Sequence, residues 1–387
     1  MRKIDFHKIY LSGNERKYIE DALNKGSISG DGFYTKKVSE FLEEKFDLIK
    51  VLMTTSATHA LEMAAQLIDL KEGDEVIMPS FSFSSTANAV IKTGAKPVFA
   101  EVKLNNFNLD PADFESKITA RTKAVIPVHY AGISCEMKEI KKIAKKNNIY
   151  IIEDAAHAVN SFYQGKAAGS MGDFGCYSFH GSKNFVSGEG GAIIINSDQH
   201  KLIEKAEIIR EKGTNRSSFL RGEIDKYNWV GKGSSYLPSD ILMALLLAQL
   251  EQIDYITKQR QQIFEFYNQH LEKFLNEDFL EIIPQIPEDR QSNYHLYYLK
   301  LKNQKIRDFI LKKLRKKGIE TAFHFQPLHA SPMGKKLGYQ KRDLQLTNDI
   351  AASMLRLPIY PGLSAADLNY IIAELRNIFL EIKQAGV

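Results

Sequence analysis

The sequence is poor in cysteine, and this scarcity limits how the fold can be stabilised. Only Cys135 and Cys176 occur among the 387 residues. Two cysteines are too few to hold a chain of this length together by disulfide bonds, and such scarcity is typical of proteins from a reducing compartment. We therefore expect a cytoplasmic protein that is stabilised by burial of apolar side chains.

The sequence also lacks a long apolar run. The longest is Ile241–Ala248, which is much shorter than the roughly 20 residues that a membrane-spanning helix needs. Residues Met1–Lys8 carry no apolar signal core. We expect no membrane association and interpret Ile241–Ala248 as part of a buried helix.

The net charge of the chain is also small. The 52 basic and 47 acidic residues leave a formal net charge of +5, spread along the chain. Basic clusters such as Lys141–Lys146 and Lys312–Lys317 have helical spacing, which is typical of solvated helix faces. We expect no nucleic-acid partner, and we assign no metal ligands.

Short β-rich runs alternate with helical patterns from about residue 50 to residue 200, which predicts an α/β fold with a largely parallel, helix-covered sheet. The predicted strands are Glu75–Met78, Pro97–Val102, Ala124–Tyr130, Tyr150–Glu153, Gly175–Phe179 and Ala192–Asn196. The predicted helices between them are Thr58–Leu70, Ser85–Thr93, Met137–Asn147 and His200–Lys212.

The chain is long enough for one large and one smaller domain. A helical stretch, Pro238–Phe274, leads into Asp278–Arg290, which is rich in proline and acidic residues and is interpreted as a linker. A strand-like run and two helical patterns follow it: Tyr294–Leu301, Ile306–Lys317 and Ala366–Ile382. We predict a large domain at residues 1–250 and a small C-terminal α+β domain at residues 251–387.

The most informative pattern is an apolar strand ending in Asp154, followed later by Lys183 on a glycine-bounded turn. A carboxylate stabilises a protonated pyridine nitrogen, and a desolvated lysine has the lowered pKa that lets its amine attack a carbonyl. Pyridoxal phosphate chemistry needs both groups. We therefore predict pyridoxal 5'-phosphate as the cofactor, Lys183 as the catalytic amine that binds it and Asp154 beside its ring. Taken alone, Asp154 is better explained as a helix cap.

Five other residues are candidates for holding the cofactor. Ala57 and Thr58 begin a predicted helix whose amides suit a phosphate, and Ser178 adds a hydroxyl. Phe83 is placed to stack on the ring, although a core position explains this aromatic equally well. His157, three residues after Asp154, is a partner for the phenolic oxygen of the cofactor, or else packs in the core.

Two histidines, His324 and His329, flank a proline-fixed turn late in the chain. We assign both to the substrate site, with a surface location as the equal alternative. Arg216, Arg221 and Lys226 are candidates for binding a diphosphate because cationic residues are dense in that segment. Solvated loop charges explain these three residues as well.

Taken together, these residues resemble the DegT-type family of sugar-nucleotide aminotransferases, which have pyridoxal phosphate fold type I. The resemblance covers about residue 5 to about residue 375. It is carried by six motifs in order: Thr55–Thr58, Pro79–Phe83, Pro127–Gly132, Glu153–His157, Ser178–Lys183 and Gly188–Gly191. It implies a large domain with a mostly parallel seven-stranded sheet and a smaller C-terminal α+β domain.

Within the family, three segments are most similar to dTDP-4-amino-4,6-dideoxygalactose transaminases: Arg210–Ser217, Asp225–Tyr227 and Gly233–Tyr236. This similarity implies transfer of the amino group of L-glutamate to C4 of dTDP-4-dehydro-6-deoxy-D-glucose. The products would be dTDP-4-amino-4,6-dideoxy-D-galactose and 2-oxoglutarate.

The resemblance also implies a homodimer with shared active sites. Many members place an asparagine of the partner subunit on the cofactor phosphate, and this chain has Ser235 at that position. A serine still donates one hydrogen bond. Relatives often carry glutamine where this chain has His157.

Three alternatives remain at this stage. The substrate is another keto sugar nucleotide, aminated at C3 or giving an equatorial amine at C4. The protein is a sugar dehydratase on the same fold, although dehydratases typically replace the lysine by histidine and Lys183 argues against this. The third alternative is a non-catalytic regulator that keeps the fold without the cofactor.

Overall fold

A computed structural model of the protein describes residues 2–26, 28–275 and 277–385. In chain order the strands are β1 (Lys50–Thr54), β2 (Glu75–Pro79), β3 (Lys96–Ala100), β4 (Thr122–Val125), β5 (Tyr150–Asp154), β6 (Phe162–Tyr163), β7 (Lys166–Ala167), β8 (Phe174–Ser178), β9 (Gly191–Ile195), β10 (Leu280–Ile282), β11 (Arg290–Gln291), β12 (Tyr297–Leu301) and β13 (Met354–Leu357).

The α-helices are α1 (Glu15–Asn24), α2 (Phe33–Phe46), α3 (Ala57–Leu67), α4 (Ser84–Ile91), α5 (Pro111–Ser116), α6 (Met137–Asn147), α7 (His200–Arg210), α8 (Arg216–Leu220), α9 (Asp240–Leu250), α10 (Ile253–Leu271), α11 (Gln304–Lys316), α12 (Pro332–Lys336), α13 (Gln345–Ser353) and α14 (Ala365–Ala385). None of the helices in the described ranges is long and apolar enough to cross a membrane. The apolar run Ile241–Ala248 lies in the largely buried α9.

Seven strands form the large sheet, in the order β1-β9-β8-β5-β4-β2-β3. Strand β9 is antiparallel to its neighbours β1 and β8, and the other neighbours are parallel. Every residue of β2, β8 and β9 is buried, as expected for strands covered by helices on both faces. The predicted mostly parallel, helix-covered sheet is confirmed.

The helices that cover this sheet are amphipathic. In α6, the buried face consists of Met137, Ile140, Ile143 and Ala144, while the lysines of Lys141–Lys146 are exposed. Burial of such an apolar stripe is what fixes a helix against a sheet. The basic cluster is therefore a solvated helix face, as predicted.

A second, antiparallel sheet of order β10-β12-β13 lies in the C-terminal part of the chain. We call this part the small lobe. Its core joins side chains from β12, α11 and α14, including Leu299, Ile310 and Leu375, all fully buried. The segment Asp278–Arg290 was predicted to be a linker, but it contains strand β10.

The domain boundary at residue 250 remains a prediction.

The N-terminal segment, residues 2–12, connects the two lobes. The N–H of Ile4 donates to the carbonyl of Gly318 at 2.8 Å, and the N–H of Glu320 donates back to Ile4 at 2.9 Å. Three residues later, Nε2 of His7 lies 3.0 Å from the carbonyl oxygen of Gly181, in the turn that carries Lys183. The segment is thus bonded to the small lobe at Gly318 and, at Gly181, to the turn that follows β8 of the large sheet.

Candidate active site

Two predicted cofactor residues end neighbouring parallel strands. Asp154 is the last residue of β5 and Ser178 is the last residue of β8. The two strands are paired in register, with Asp154 opposite Cys176. Carboxyl ends of parallel strands meet at one edge of a sheet, which is where ligands of open α/β sheets bind.

Asp154 is only 6% exposed. Its Oδ2 accepts a hydrogen bond from the hydroxyl of Thr86 at 2.8 Å, and its Oδ1 accepts one from the N–H of Ala156 at 3.2 Å. Burial raises the pKa of this carboxyl, and the hydrogen bond from Thr86 opposes the rise. In the described part of the chain no cation lies within salt-bridge distance of Asp154, so a positively charged ligand atom would stabilise it.

Glu153 precedes Asp154, and its side chain points to the opposite face of the sheet, as alternation along a strand requires. Its carboxylate accepts hydrogen bonds from the N–H groups of Gly169, Met171 and Gly172 at 2.9, 2.6 and 2.5 Å. It is also 2.8 Å from Nε2 of the fully buried His129. Glu153 therefore fixes the loop at residues 169–172 on one face of the sheet. Asp154 points to the other face, toward the site.

Lys183 lies in a turn that is closed by backbone hydrogen bonds. The N–H of Phe179 donates to Gly190 at 2.9 Å, and that of Gly181 donates to Gly188 at 2.8 Å. Burial lowers the pKa of Lys183 to about 8; the carboxylate of Asp154 opposes this change. The amine has no hydrogen-bond acceptor among the described residues. A lysine in these surroundings is partly neutral near pH 7 and can act as a nucleophile.

Helix α3 points its N-terminus toward the same edge of the sheet. Ser56 caps the helix by accepting a hydrogen bond from the N–H of His59 at 3.2 Å. The N–H groups of Ala57 and Thr58 donate to no described residue, and two such amides at a helix start suit an anion. The hydroxyl of Thr58 is 2.7 Å from the hydroxyl of Ser85. This geometry suits a phosphate group; that these residues bind the cofactor phosphate stays a prediction.

A stack of imidazoles forms one wall of the site. The ring of His157 is 4.5 Å from that of His295 and is almost parallel to that of His324 at 6.1 Å. Burial lowers the pKa of all three rings, to about 2 for His324, and the charge of Lys183 adds to this effect. The rings are therefore neutral. Nδ1 of His157 is buried without a hydrogen-bond partner, so it is free for a ligand.

The cleft between the lobes has a volume of about 250 Å³ and is lined by Lys183, by the three imidazoles and by two arginines, Arg260 and Arg356. Neither arginine was predicted from the sequence as a site residue, and His295 was not predicted either. One signal was available: Arg356 is the single charged residue of a short apolar strand, β13. Arg260 lies on the otherwise apolar buried face of α10.

Phe83 is 62% exposed and stands at the start of α4. Its ring is 6.3 Å from that of Phe325, which itself stacks on His324 at 3.6 Å. Phe83 is thus not a core aromatic, and its ring is open to a ligand at the mouth of the site. Its role in stacking on the cofactor stays a prediction.

The two late histidines have different locations. His324 lines the cleft, with its Nδ1 3.2 Å from the hydroxyl of Tyr130. His329 is fully buried; its Nδ1 is 2.7 Å from the hydroxyl of Ser80, and its Nε2 is 3.3 Å from the carbonyl oxygen of Lys341. Both ring nitrogens of His329 are engaged inside the protein. The structure does not bring this residue to the cleft, contrary to its assignment to the substrate site.

The predicted diphosphate residues also lie outside the cleft of their own chain. Arg221 is bonded to Glu207 at 2.8 Å and to Glu223 at 2.7 Å. Arg216 is 3.8 Å from Glu211, and Lys226 is exposed.

Ser235 is exposed as well, and its backbone pairs with that of Glu211. The predicted substrate role of Arg216, Arg221 and Lys226 and the predicted contact of Ser235 with the cofactor phosphate both require that these residues reach the site of a second subunit.

The residues present fit pyridoxal 5'-phosphate. The unpaired carboxylate of Asp154 suits a protonated ring nitrogen, and the free amides of Ala57 and Thr58 suit a phosphate. The Cβ that an alanine would place at Gly191 would lie 2.3 Å from a backbone atom of Ser56. Glycine at this position therefore lets β9 approach the start of α3.

A model of the DegT/DnrJ/EryC1/StrS aminotransferase family matches residues 10–376. The chain belongs to this aminotransferase family. Its curated relatives include the spore coat polysaccharide biosynthesis protein SpsC of Bacillus subtilis, 33% identical over 96% of both chains. They also include the GDP-perosamine synthase of Caulobacter vibrioides, 32% identical over 96% of both chains.

Among solved structures, the putative sugar aminotransferase Spr1654 from Streptococcus pneumoniae has a TM-score of 0.92 at 26% identity in its apo form, with full coverage of both chains. The same protein has been solved with pyridoxamine phosphate and with pyridoxal phosphate. The family member described here is accordingly a sugar transaminase of pyridoxal phosphate fold type I. The family assignment favours transamination over the dehydratase and the non-catalytic alternatives.

Proposed function

We propose that this transaminase moves the amino group of L-glutamate to C4 of a nucleotide-linked 4-dehydro-6-deoxyhexose. The sequence resemblance favours dTDP-4-dehydro-6-deoxy-D-glucose, which would give dTDP-4-amino-4,6-dideoxy-D-galactose and 2-oxoglutarate. A GDP-linked keto sugar that amination converts into perosamine is the second candidate, because a relative of similar length is named GDP-perosamine synthase.

One observation carries the proposal: the half-buried, unpaired amine of Lys183 shares a site with the buried carboxylate of Asp154. When bound, pyridoxal phosphate supplies an electron sink that makes the carbon next to the donor nitrogen acidic. Asp154 would hold the positive charge on the ring nitrogen, while Ala57, Thr58 and Ser178 would bind the phosphate. His157 would offer Nδ1 to the phenolic oxygen.

Lys183 would then act as the proton carrier of the reaction. Its lowered pKa suits a group that takes a proton from the α-carbon of L-glutamate and later delivers one to C4 of the sugar. The face of the sugar that receives this proton decides whether the new amine is axial or equatorial. The axial amine of the galactose product requires delivery from the equatorial side.

We also propose that the active protein is a homodimer with shared sites. Five apolar residues are exposed on the segment that follows α7: Phe219, Leu220, Tyr227, Trp229 and Val230. Contiguous exposed apolar surface is typical of an interface between proteins. A second copy covering this segment would bring Ser235, Arg216, Arg221 and Lys226 toward its own cleft.

The test is incubation of the purified, cofactor-loaded protein with L-glutamate and a panel of keto sugar nucleotides, followed by NMR of the product. We expect an axial 4-amino-6-deoxy sugar from the dTDP-linked substrate. An amine at C3 or an equatorial amine at C4 would contradict the proposal. A strong preference for the GDP-linked sugar would establish the second candidate.

A further inference from the structure

A hydroxyl on helix α4 holds the carboxylate of Asp154. Thr86 donates its hydroxyl hydrogen to Oδ2 of Asp154 at 2.8 Å, and the Thr86 side chain is fully buried. The other donor to this carboxylate is the N–H of Ala156, which lies only two residues further along the chain. Within the described ranges, Thr86 is thus the one side chain that donates to Asp154.

A second hydroxyl fixes the direction of this bond. Oγ of Ser82, which is also buried, lies 2.7 Å from Oγ1 of Thr86. A hydroxyl has one hydrogen to donate. Thr86 uses its hydrogen for Asp154, so Ser82 must be the donor to Thr86. The resulting chain runs from Ser82 through Thr86 to the carboxylate, and polarisation along such a chain strengthens its last bond.

The carboxylate of Asp154 does not serve as a cap of helix α4. A comparison with helix α13 makes this clear, because Thr347 is also a fully buried third residue and also donates to a carboxylate, that of Glu101, at 2.6 Å. Glu101 accepts the N–H groups of Leu346 and Thr347 as well, at 3.1 and 3.0 Å, so it caps that helix. Asp154 accepts no N–H group of α4, and its bond with Thr86 is not part of helix capping.

The bond from Thr86 favours the charged form of the carboxylate. Burial raises the pKa of Asp154, and the hydrogen bond from Thr86 is the largest of the influences that oppose this rise. A hydrogen bond to an ionised carboxylate stabilises it over the neutral acid. A negative carboxylate in turn keeps a neighbouring pyridine nitrogen protonated, so Thr86 can influence that nitrogen through Asp154.

We propose that Thr86 is a positioning residue that orients the carboxylate of Asp154 and holds it ionised, so that the ring nitrogen of the bound cofactor stays protonated. This inference rests on the proposed place of Asp154 beside that nitrogen. Thr86 acts only through Asp154 and touches no reacting atom. Ser82 supports it by keeping the hydroxyl hydrogen of Thr86 directed at the carboxylate.

The first test compares the affinity of the cofactor-free protein for pyridoxal phosphate with that for its 1-deaza analogue. The analogue has carbon in place of the ring nitrogen and gains nothing from Asp154. We expect the wild type to prefer pyridoxal phosphate and Thr86→Val to lose about 10- to 100-fold of this preference, as for loss of a hydrogen bond to a charged group. Thr86→Ser should retain most of it. Fluorescence titration measures the affinities.

Thr86→Val also leaves the buried hydroxyl of Ser82 without an acceptor, which costs stability. The double variant Ser82→Ala/Thr86→Val removes this unpaired group and should show the same loss of preference. Thr347→Val is the matched control, because it removes a fully buried hydroxyl from a carboxylate outside the cleft. It should lower the free energy of unfolding and leave the preference unchanged.

NMR of a cofactor labelled with ¹⁵N at the ring nitrogen measures protonation directly. In the wild type the resonance should have the position of a protonated pyridine. In Thr86→Val we expect the pH at which this nitrogen loses its proton to fall, because a weaker negative charge beside it holds the proton less firmly. Thr86→Ser should restore the wild-type titration, and Thr347→Val should not alter it.

An unchanged preference in Thr86→Val, or an equal loss of affinity for both cofactors, would overturn the proposal. Asp154→Ala separates this result from a failure of the proposed function. If Asp154→Ala lowers the preference and Thr86→Val does not, only the role of Thr86 fails; if neither does, the place of Asp154 fails with it. If the wild type aminates no 4-keto sugar while Thr86→Val lowers the preference, the proposed function fails and the role of Thr86 stands.

Discussion

The chemistry of a single amine, that of Lys183, depends on how much water the fold removes from it. Burial destabilises the charged form of the lysine and brings its pKa down to about 8, while the nearby carboxylate of Asp154 limits the drop. An ordinary lysine has a pKa of about 10.4 and is almost fully protonated at neutral pH. The protein thus obtains a reactive amine from position alone.

This difference predicts how capture of the cofactor depends on pH. The rate at which pyridoxal phosphate reacts with the cofactor-free protein should rise roughly tenfold per pH unit below pH 8 and then level off, because only the neutral amine attacks. Stopped-flow absorbance between pH 6 and pH 10 measures it. Nα-acetyl-lysine should show no plateau before about pH 10.

Lys183→Ala is the matched variant, and it should form no borohydride-reducible link to the cofactor. A plateau above pH 9.5 in the wild type would show that burial does not control the amine.

At this scale, sequence reasoning succeeds where a residue's surroundings are local in the chain. Asp154 and Lys183 were predictable because a buried strand or a glycine-bounded turn lies directly beside each of them. His329 was assigned wrongly to the cleft because a histidine next to a proline turn can point either way. Its actual partner, Ser80, is far away in the sequence. Arg356 was missed for the same reason, since its neighbours Phe6 and Lys183 are distant in the chain.

At the level of secondary structure, the phosphate end of the site depends on two elements that meet closely. Strand β9 begins at Gly191, opposite Thr54 at the end of β1. A Cβ at Gly191 would lie 2.3 Å from the carbonyl carbon of Ser56 and 2.4 Å from the nitrogen of Ala57. Neither backbone atom can move without displacing the start of α3.

Gly191→Ala should therefore weaken cofactor binding and destabilise the fold. We expect at least about a tenfold lower affinity for pyridoxal phosphate and a loss of about 1–3 kcal/mol in the free energy of unfolding, as for other overpacked sites. Fluorescence titration and denaturant unfolding measure the two quantities. Gly231→Ala is the control, because its Cβ would meet only a side-chain carbon of Ile208 at 3.4 Å. Unchanged affinity in Gly191→Ala would refute the tight approach.

The elements that the sequence predicted least well are the short or interrupted ones. The predicted strand Ala124–Tyr130 ends at Val125 in the structure, since Pro127 has no N–H for a ladder and Ala131 adopts a φ of 57°. Strands β1 and β13 were not predicted; β13 has only four residues, and one of them, Arg356, is charged. Helix α6, a strongly periodic segment, was predicted with the bounds that the structure shows.

For the whole molecule, the proposed assembly depends on the exposed apolar surface after α7. Trp229 is 81% exposed within it, and burial of such a side chain by a second copy would be strongly favourable. Trp229→Asp should shift the protein toward a monomer of 43.9 kDa, because it places a charge in the proposed interface.

Light scattering after size-exclusion chromatography measures this shift. Leu380→Asp is the control, since Leu380 is 56% exposed on α14 of the small lobe and should leave the mass unchanged. A monomeric wild type, or a Trp229→Asp variant that stays dimeric, would contradict the proposed interface.

The N-terminal segment also limits the distance between the small lobe and the turn that carries Lys183. It is bonded to the small lobe at Ile4 and to the lysine turn at His7, and three residues of extended chain span at most about 10–11 Å. While both bonds hold, the distance between Gly318 and Gly181 cannot exceed the sum of that backbone span, the length of the His7 side chain and the two hydrogen bonds. Any wider opening, such as one admitting a whole sugar nucleotide from this side, must first break a bond at one of the two anchors.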